Sequence, residues 1–99
     1  MTPIFKLLRA AEWAAFEADG MFAGSPDDLR DGYIHLSSAD QVAGTYAKYF
    51  AGEVGVVRLT LDTDALGSAL RWEASRGGAL FPHLYRALRP DEVVAVTRL

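Results

Sequence analysis

The chain has 99 residues, of which 51% are hydrophobic and 23% are charged, and its formal net charge is −3. This length suits one hydrophobic core and is short for two, so we expect a single domain over residues 1–99. The acidic balance argues against general nucleic-acid binding, which usually depends on a basic face. The absence of cysteine excludes disulfides, thiolate nucleophiles and cysteine-bound zinc.

The sequence also argues against a membrane protein. No apolar stretch approaches the roughly 20 residues that cross a bilayer, and the first residues do not have the pattern of an export signal. We therefore expect a cytoplasmic domain.

The N-terminal third predicts a strand, a helix and a long loop. Residues 3–8 form a short apolar run that indicates a mostly buried strand. Residues 10–18 are rich in alanine and place Trp13 and Phe16 on one helical face, which is expected to pack on a sheet. Residues 21–32 are broken by glycine and proline and predict a loop that is longer than usual.

The next segment carries polar residues on one side of a predicted strand. Residues 33–37 alternate, so that Tyr33, His35 and Ser37 share one face and the two apolar residues between them share the other. Ser38 and Gln41 match a capping box, which predicts a second helix that ends by Gly52.

The second half is dominated by strands. Residues 54–61 are rich in β-branched residues and predict a central strand, after which Asp62 caps a one-turn helix. Further strands are predicted at residues 70–74, 80–86 and 93–97. Since strands outnumber helices and both main helices lie in the N-terminal half, we expect an α+β domain rather than repeated βαβ winding.

Two histidines are the first candidates for a functional site. His35 and His83 each lie inside an apolar strand, where an imidazole needs hydrogen-bond partners. One interpretation is a pair of satisfied core histidines, and a second is a buried network with Glu73 that only specifies the fold. A third is a facial metal site made by the two histidines and a carboxylate.

Charged residues in strands are the second group of candidates. Alternation puts Arg71, Glu73 and Ser75 on one face and Trp72 on the other, so Glu73 is either a site residue or a cross-strand partner of an arginine. Lys6 either belongs to the site or points outward at a sheet edge. The glycine-rich turn around Arg76 allows backbone amides and a guanidinium to meet an anion.

The motifs together resemble a known family, the bacterial and plant group called domain of unknown function 952. The resemblance runs from Ile4 to the last strand, and these segments carry it: Gly-Ser-Pro-x-Asp at residues 24–28, Asp-Gly-Tyr-Ile-His-Leu-Ser at residues 31–37, Gln41, Trp-Glu at residues 72–73, and Phe-Pro-His-Leu-Tyr at residues 81–85. This family looks like a compact member of the ADP-ribosyltransferase-like superfamily. The resemblance implies a split, mainly antiparallel β-sheet that binds NAD in a cleft.

The resemblance also implies roles for the candidate residues. The superfamily usually has a polar residue, often histidine, on its first strand, a position that Lys6 would occupy here. Glu73 and His35 would be catalytic, with Glu73 stabilising the oxocarbenium-like ribose and His35 holding a ribose hydroxyl. The residues expected to bind substrate are Lys6, Tyr33, Ser37, Ser75, Arg76, His83 and Tyr85.

The implied ligand is a small nucleotide-like molecule, with NAD as a substrate and no metal. Arg76 or Lys6 would pair with its pyrophosphate, and Tyr33, Tyr85 or Trp72 would stack on a ring, although alternation points Trp72 away from Glu73. The loop at residues 21–31 would act as a lid. The alternative is a non-catalytic module that binds a ligand or a protein.

Overall fold

Two antiparallel sheets form the framework of the computed structural model, which describes residues 1–99 except for the side chain of Arg76. The strands are β1 (Pro3–Leu8), β2 (Ile34–His35), β3 (Ser37–Ser38), β4 (Val57–Asp62), β5 (Leu70–Ala74), β6 (Leu80–Leu84) and β7 (Val93–Arg98). The helices are α1 (Ala10–Asp19), α2 (Pro26–Asp31), α3 (Val42–Tyr49) and α4 (Thr63–Leu66).

The chain crosses between the two sheets at Leu36. One sheet has the strand order β3-β1-β4-β7 and the other has the order β2-β6-β5, so β2 and β3 belong to different sheets although one residue separates them. At the crossing, the Leu36 backbone amide donates a hydrogen bond to the Pro82 carbonyl at 3.0 Å. The predicted α+β class with split antiparallel sheets is confirmed, whereas the single strand predicted at residues 33–37 is two short ones.

The main core lies between the sheets and under α1. Its buried members are Ile4, Leu8, Phe16, Phe22, Ile34, Leu36, Val57, Leu59, Leu61, Leu66, Leu84 and Leu88. The predicted aromatic face of the first helix is confirmed, since Phe16 is buried there and the Trp13 ring packs edge-on against it at 5.6 Å.

The predicted loop at residues 21–32 contains a helix that the sequence analysis missed. The Ser25 hydroxyl accepts a hydrogen bond from the Asp28 amide at 3.3 Å, and the Asp28 carboxylate accepts one from the Ser25 amide at 2.9 Å. Pro26 occupies the first turn, where its fixed φ is favourable. Ser-x-x-Asp thus closes the reciprocal cap that is usually sought as Ser-x-x-Glu.

Several predicted boundaries were wrong by a few residues. The second predicted helix begins at Val42, because Ser38 pairs with Ile4 in β3. Of the predicted capping box, the hydrogen bond from the Ser38 amide to the Gln41 side chain is present at 3.1 Å. The central strand begins at Val57 instead of residue 54. The one-turn helix is confirmed, since the Asp62 carboxylate accepts a hydrogen bond from the Asp64 amide at 3.1 Å.

None of the helices in the described part of the chain combines the length and the apolar character needed to cross a bilayer.

Candidate functional site

A cleft of about 450 Å³ opens where the chain crosses between the sheets. Its walls come from β1, α2, α3 and the facing strands β2 and β6. The predicted site residues that line it are Lys6, Tyr33, His35, Ser37, Ser75 and His83. This volume lies within the range of small-molecule sites, about 300–1,000 Å³.

The innermost charged group of the cleft is the Lys6–Asp28 ion pair. Lys6 shares a face of β1 with Ile4 and Leu8, and β1 lies between β3 and β4, so the interpretation of Lys6 as an outward-pointing edge residue was wrong. Its Nζ lies 2.9 Å from the Asp28 carboxylate and donates to the His35 carbonyl at 3.0 Å. The two side chains are only 7% and 1% exposed, respectively.

Asp28 receives hydrogen bonds on both carboxylate oxygens. Oδ1 accepts from the His35 amide at 3.1 Å and contacts His35 Nδ1 at 2.6 Å, while Oδ2 faces Lys6 and the Ser25 amide. Burial by itself raises the pKa of Asp28, but the hydrogen bond from His35 and the charge of Lys6 outweigh it and hold the pKa well below its usual range. Asp28 therefore stays ionised and joins β1, α2 and β2.

Gly24 makes this burial of Asp28 sterically feasible. Its φ is 133°, and a Cβ built there would lie 2.8 Å from Asp28 Cβ, closer than real Cβ contacts. A side chain at residue 24 would push the preceding loop off the buried carboxylate.

The His35 ring is held between two carboxylates. Nδ1 faces Asp28 at 2.6 Å, and Nε2 lies 3.0 Å from Asp31 Oδ2 on the last residue of α2. Ionised carboxylates only accept hydrogen bonds, so the imidazolium form alone can donate to both. Both ring nitrogens of His35 are therefore already engaged.

His83 lies directly opposite His35, because the two residues pair in the register of β2 and β6. His83 Nδ1 lies 2.8 Å from Glu73 Oε1 on β5, and the Tyr85 hydroxyl donates to the same oxygen at 2.5 Å. The hydrogen bonds from Tyr85 and His83 lower the pKa of Glu73. Glu73 and Tyr85 do not line the cleft themselves but are connected to it through His83.

Tyr33 lies over both imidazoles. Its ring stacks on His83 with the centroids 4.0 Å apart and an interplanar angle of 27°, and its centroid is 4.7 Å from that of His35. The two histidine rings are 5.7 Å apart, edge to face. Burial, followed by the charge of Asp31, raises the pKa of Tyr33, so the phenol stays neutral.

The remaining residues predicted for the site lie around the two histidines. Ser37 Oγ lies 2.9 Å from Thr45 Oγ1 and ties β3 to α3, and Ser75 lies on the wall. Trp72 is on the opposite face of β5 and partly exposed, as alternation predicted. The role predicted for Arg76 falls on a side chain outside the described residues.

The two carboxylates that hold His35 were not among the predicted site residues. Asp28 and Asp31 belong to the motifs at residues 24–28 and 31–37, but no role was predicted for either of them. The signal that identifies Asp28 is its place three residues after Ser25, because that spacing turns a carboxylate back onto the helix start. Its exposed neighbour Asp27 has the same residue type, so composition alone cannot separate them.

The facial metal site receives no support from the geometry. Among the side chains described, no group of three histidine, aspartate or glutamate residues is arranged to hold a metal ion. The two histidines proposed for it do come together, but each is bonded to its own carboxylate, His83 to Glu73 and His35 to Asp28.

Comparison with known proteins gives a family and a set of similar structures. Residues 7–96 match the family model described as "Protein of unknown function (DUF952)". The crystal structure of protein CC0527 from Caulobacter crescentus shares 51% identity with a TM-score of 0.95, covering 99% of this chain and 86% of that one. The solution NMR structure of the same protein shares 52% identity with a TM-score of 0.89, covering 100% and 85%. No protein of curated function matches.

Proposed function

Because the chain belongs to the DUF952 family, whose function is unknown, we propose a function from the cleft itself. The cleft binds a nucleotide-like small molecule, NAD or an ADP-ribose compound, and supports ADP-ribosyltransferase-like cleavage of the nicotinamide glycosidic bond. The observation that carries this proposal is the convergence of Tyr33, His35 and His83 in one cleft, with the Glu73 carboxylate bonded to His83.

The charged residues around the cleft suggest where the riboside and the phosphates of the ligand would bind. The lining contains the cations Lys6, Arg9 and Arg30 and the carboxylates Glu12, Asp27, Asp28 and Asp31. Lys6 is already paired with Asp28, so it positions the site and does not serve as the pyrophosphate ligand that the sequence suggested. Arg9 and Arg30 also form ion pairs with carboxylates, but their side chains are 43% and 68% exposed, so they can exchange these partners for a phosphate. We therefore place the nicotinamide riboside in the interior and the phosphates at the rim, near Arg9 and Arg30.

The interior offers groups that suit the ribose and the developing positive charge. An oxocarbenium-like ribose is stabilised by a carboxylate, and Glu73, which is connected to the cleft through His83, stays ionised because its pKa is lowered by Tyr85 and His83. Tyr33 supplies the aromatic ring expected beside a nicotinamide or a base. NAD is a substrate in this proposal, and no resident cofactor is required.

A ligand-binding module without turnover is the second candidate. The observation that favours it is the position of Glu73, whose carboxylate reaches the cleft only through His83. The two candidates separate in a Glu73→Gln variant: an enzyme loses turnover and keeps affinity, whereas a binding module has no turnover to lose.

The first experiment is a thermal-shift titration with NAD, ADP-ribose and nicotinamide. A ligand at 100 times its dissociation constant stabilises the folded protein by about 2.7 kcal/mol. We expect a dose-dependent shift with NAD or ADP-ribose, weakened in Tyr33→Leu and unchanged in Asp91→Asn, an exposed carboxylate that does not line the cleft. No shift at millimolar NAD and ADP-ribose would refute the proposed function.

A further inference from the structure

One nitrogen of His83 has no hydrogen-bond partner in the described part of the chain. The His83 side chain is 3% exposed and lines the cleft, and its Nδ1 is taken by Glu73. Its Nε2 is buried and bonds to none of the atoms that the structure describes. Since buried polar atoms are nearly always satisfied, we expect this nitrogen to bond a group outside the described atoms, such as a ligand or a water.

The hydrogen bond to Glu73 fixes what Nε2 can do. An ionised carboxylate is only an acceptor, so Nδ1 carries the proton and donates to Glu73 Oε1. In the neutral ring, Nε2 then carries no proton, and its lone pair can accept a hydrogen bond. A second proton there would create a buried charged ring whose new N–H group has no acceptor among the described atoms.

The other histidine of the cleft cannot take this role. Both nitrogens of His35 face carboxylates, at 2.6 Å from Asp28 and 3.0 Å from Asp31, so His35 offers no free lone pair. When the environments of two titratable groups differ in this way, their acid and base roles differ as well. The accepting role in the cleft therefore falls on His83.

We propose that His83 Nε2 is the general base of the cleft and that the acceptor substrate is a hydroxyl-bearing molecule, water included. This assignment rests on the proposed function. Glu73 instead positions His83 and stabilises the imidazolium that forms.

The step balances without a further reactant. The acceptor hydroxyl gives its proton to His83 Nε2 while its oxygen bonds to the anomeric carbon of the ribose. The bond from that carbon to nicotinamide breaks, and nicotinamide leaves as a neutral molecule with the electron pair. The imidazolium then releases its proton to solvent.

Nitrogen NMR of the protein, isotopically labelled in its histidine rings, measures directly which ring nitrogen of His83 carries a proton. We expect Nδ1 protonated and Nε2 bare at neutral pH, and a shift of the Nε2 signal towards a hydrogen-bonded acceptor when ADP-ribose, which carries ribose hydroxyls, is added. A protonated Nε2 in the free protein, or an Nε2 signal unmoved while other cleft signals respond, overturns the assignment.

Two substitutions separate hydrogen bonding from proton transfer. His83→Gln places an amide near the Nε2 position and cannot take a proton, and His83→Asn keeps a donor towards Glu73 but removes Nε2. We expect nicotinamide release from NAD to fall about 100-fold in both variants and ADP-ribose affinity to survive better in His83→Gln. Equal activity of both variants and the parent contradicts the proposal.

The failures of the two proposals are distinguishable. If ADP-ribose changes no signal and NAD releases no nicotinamide, the proposed nucleotide function fails. The tautomer of His83 in the free protein still decides whether Nε2 is an open acceptor, because that reading needs no ligand.

Discussion

Two carboxylate–histidine pairs face each other across the cleft, and they differ in how many of their polar atoms already have partners. Asp28 and His35 are bonded at every carboxylate oxygen and ring nitrogen, with Lys6 and Asp31 completing the set. In the second pair, Glu73 is 37% exposed and His83 keeps an open Nε2.

This difference separates a structural role from a chemical one. Burying the charges of Lys6 and Asp28 is costly unless every group is paired, so the first pair can only be disturbed at a large cost in stability. In the second pair, Glu73 is partly exposed and the buried His83 Nε2 has no partner among the described atoms, which leaves one acceptor for a ligand. In the proposed function, the first pair therefore positions the cleft and the second pair acts in it.

The largest effect is expected from breaking the first pair. Asp28→Asn leaves the Lys6 ammonium buried without its counter-charge, which should lower the free energy of unfolding by about 3–5 kcal/mol. Chemical denaturation measures this loss in the free energy of unfolding. The matched control is Asp27→Asn, an exposed neighbour on the same helix, which should change stability by less than about 0.5 kcal/mol. Equal effects of the two variants would refute a structural role for the buried pair.

The pH dependence of stability is the second test of the same pair. The pKa of Asp28 is lowered in the folded state, so its contribution is complete above the unfolded value, about 4, and is lost progressively as the pH falls below it. The parent should therefore lose stability more steeply than Asp28→Asn between pH 4 and 2, as followed by urea midpoints. Parallel curves would contradict this prediction.

A smaller effect is expected from the aromatic ring between the pairs. Tyr33→Leu removes the stacking on His83 and should destabilise the fold by about 0.5–1.5 kcal/mol, while weakening ADP-ribose binding. Tyr33→Phe keeps the ring and serves as the control in the same melting and binding measurements. A leucine variant that binds as tightly as the parent would exclude Tyr33 from ligand recognition.

The smallest effect on stability is expected from the second pair. Glu73→Gln keeps a hydrogen-bonding side chain at a partly exposed position, so it should melt close to the parent while nicotinamide release from NAD falls. A large loss of stability would instead favour the interpretation in which His35, Glu73 and His83 form a network that only specifies the fold.

The sequence predicted most of the framework because periodicity reports local structure. The strands at residues 3–8 and 70–74 and the first helix agree with the structure. Tyr33, His35 and Ser37 all line the cleft, although they do not share the face of a single strand. The helix at residues 26–31 was missed, because glycine and proline around it are typical of loops and its cap uses aspartate.

The arrangement of the site depended on contacts that sequence patterns do not encode. Alternation placed His35 on a polar face but gave no sign that the chain changes sheets at the next residue, which turns His35 towards His83. Likewise, nothing local shows that Lys6 reaches Asp28 across 22 residues of chain, since that contact requires β1 to be an interior strand.

The most direct test of the account is a crystal structure of the protein with ADP-ribose. We expect the ligand in the cleft, with a ribose hydroxyl within about 3 Å of His83 Nε2 and with the Lys6–Asp28–His35 contacts unchanged. An empty cleft at saturating ADP-ribose, or a ligand bound away from His83, would contradict it.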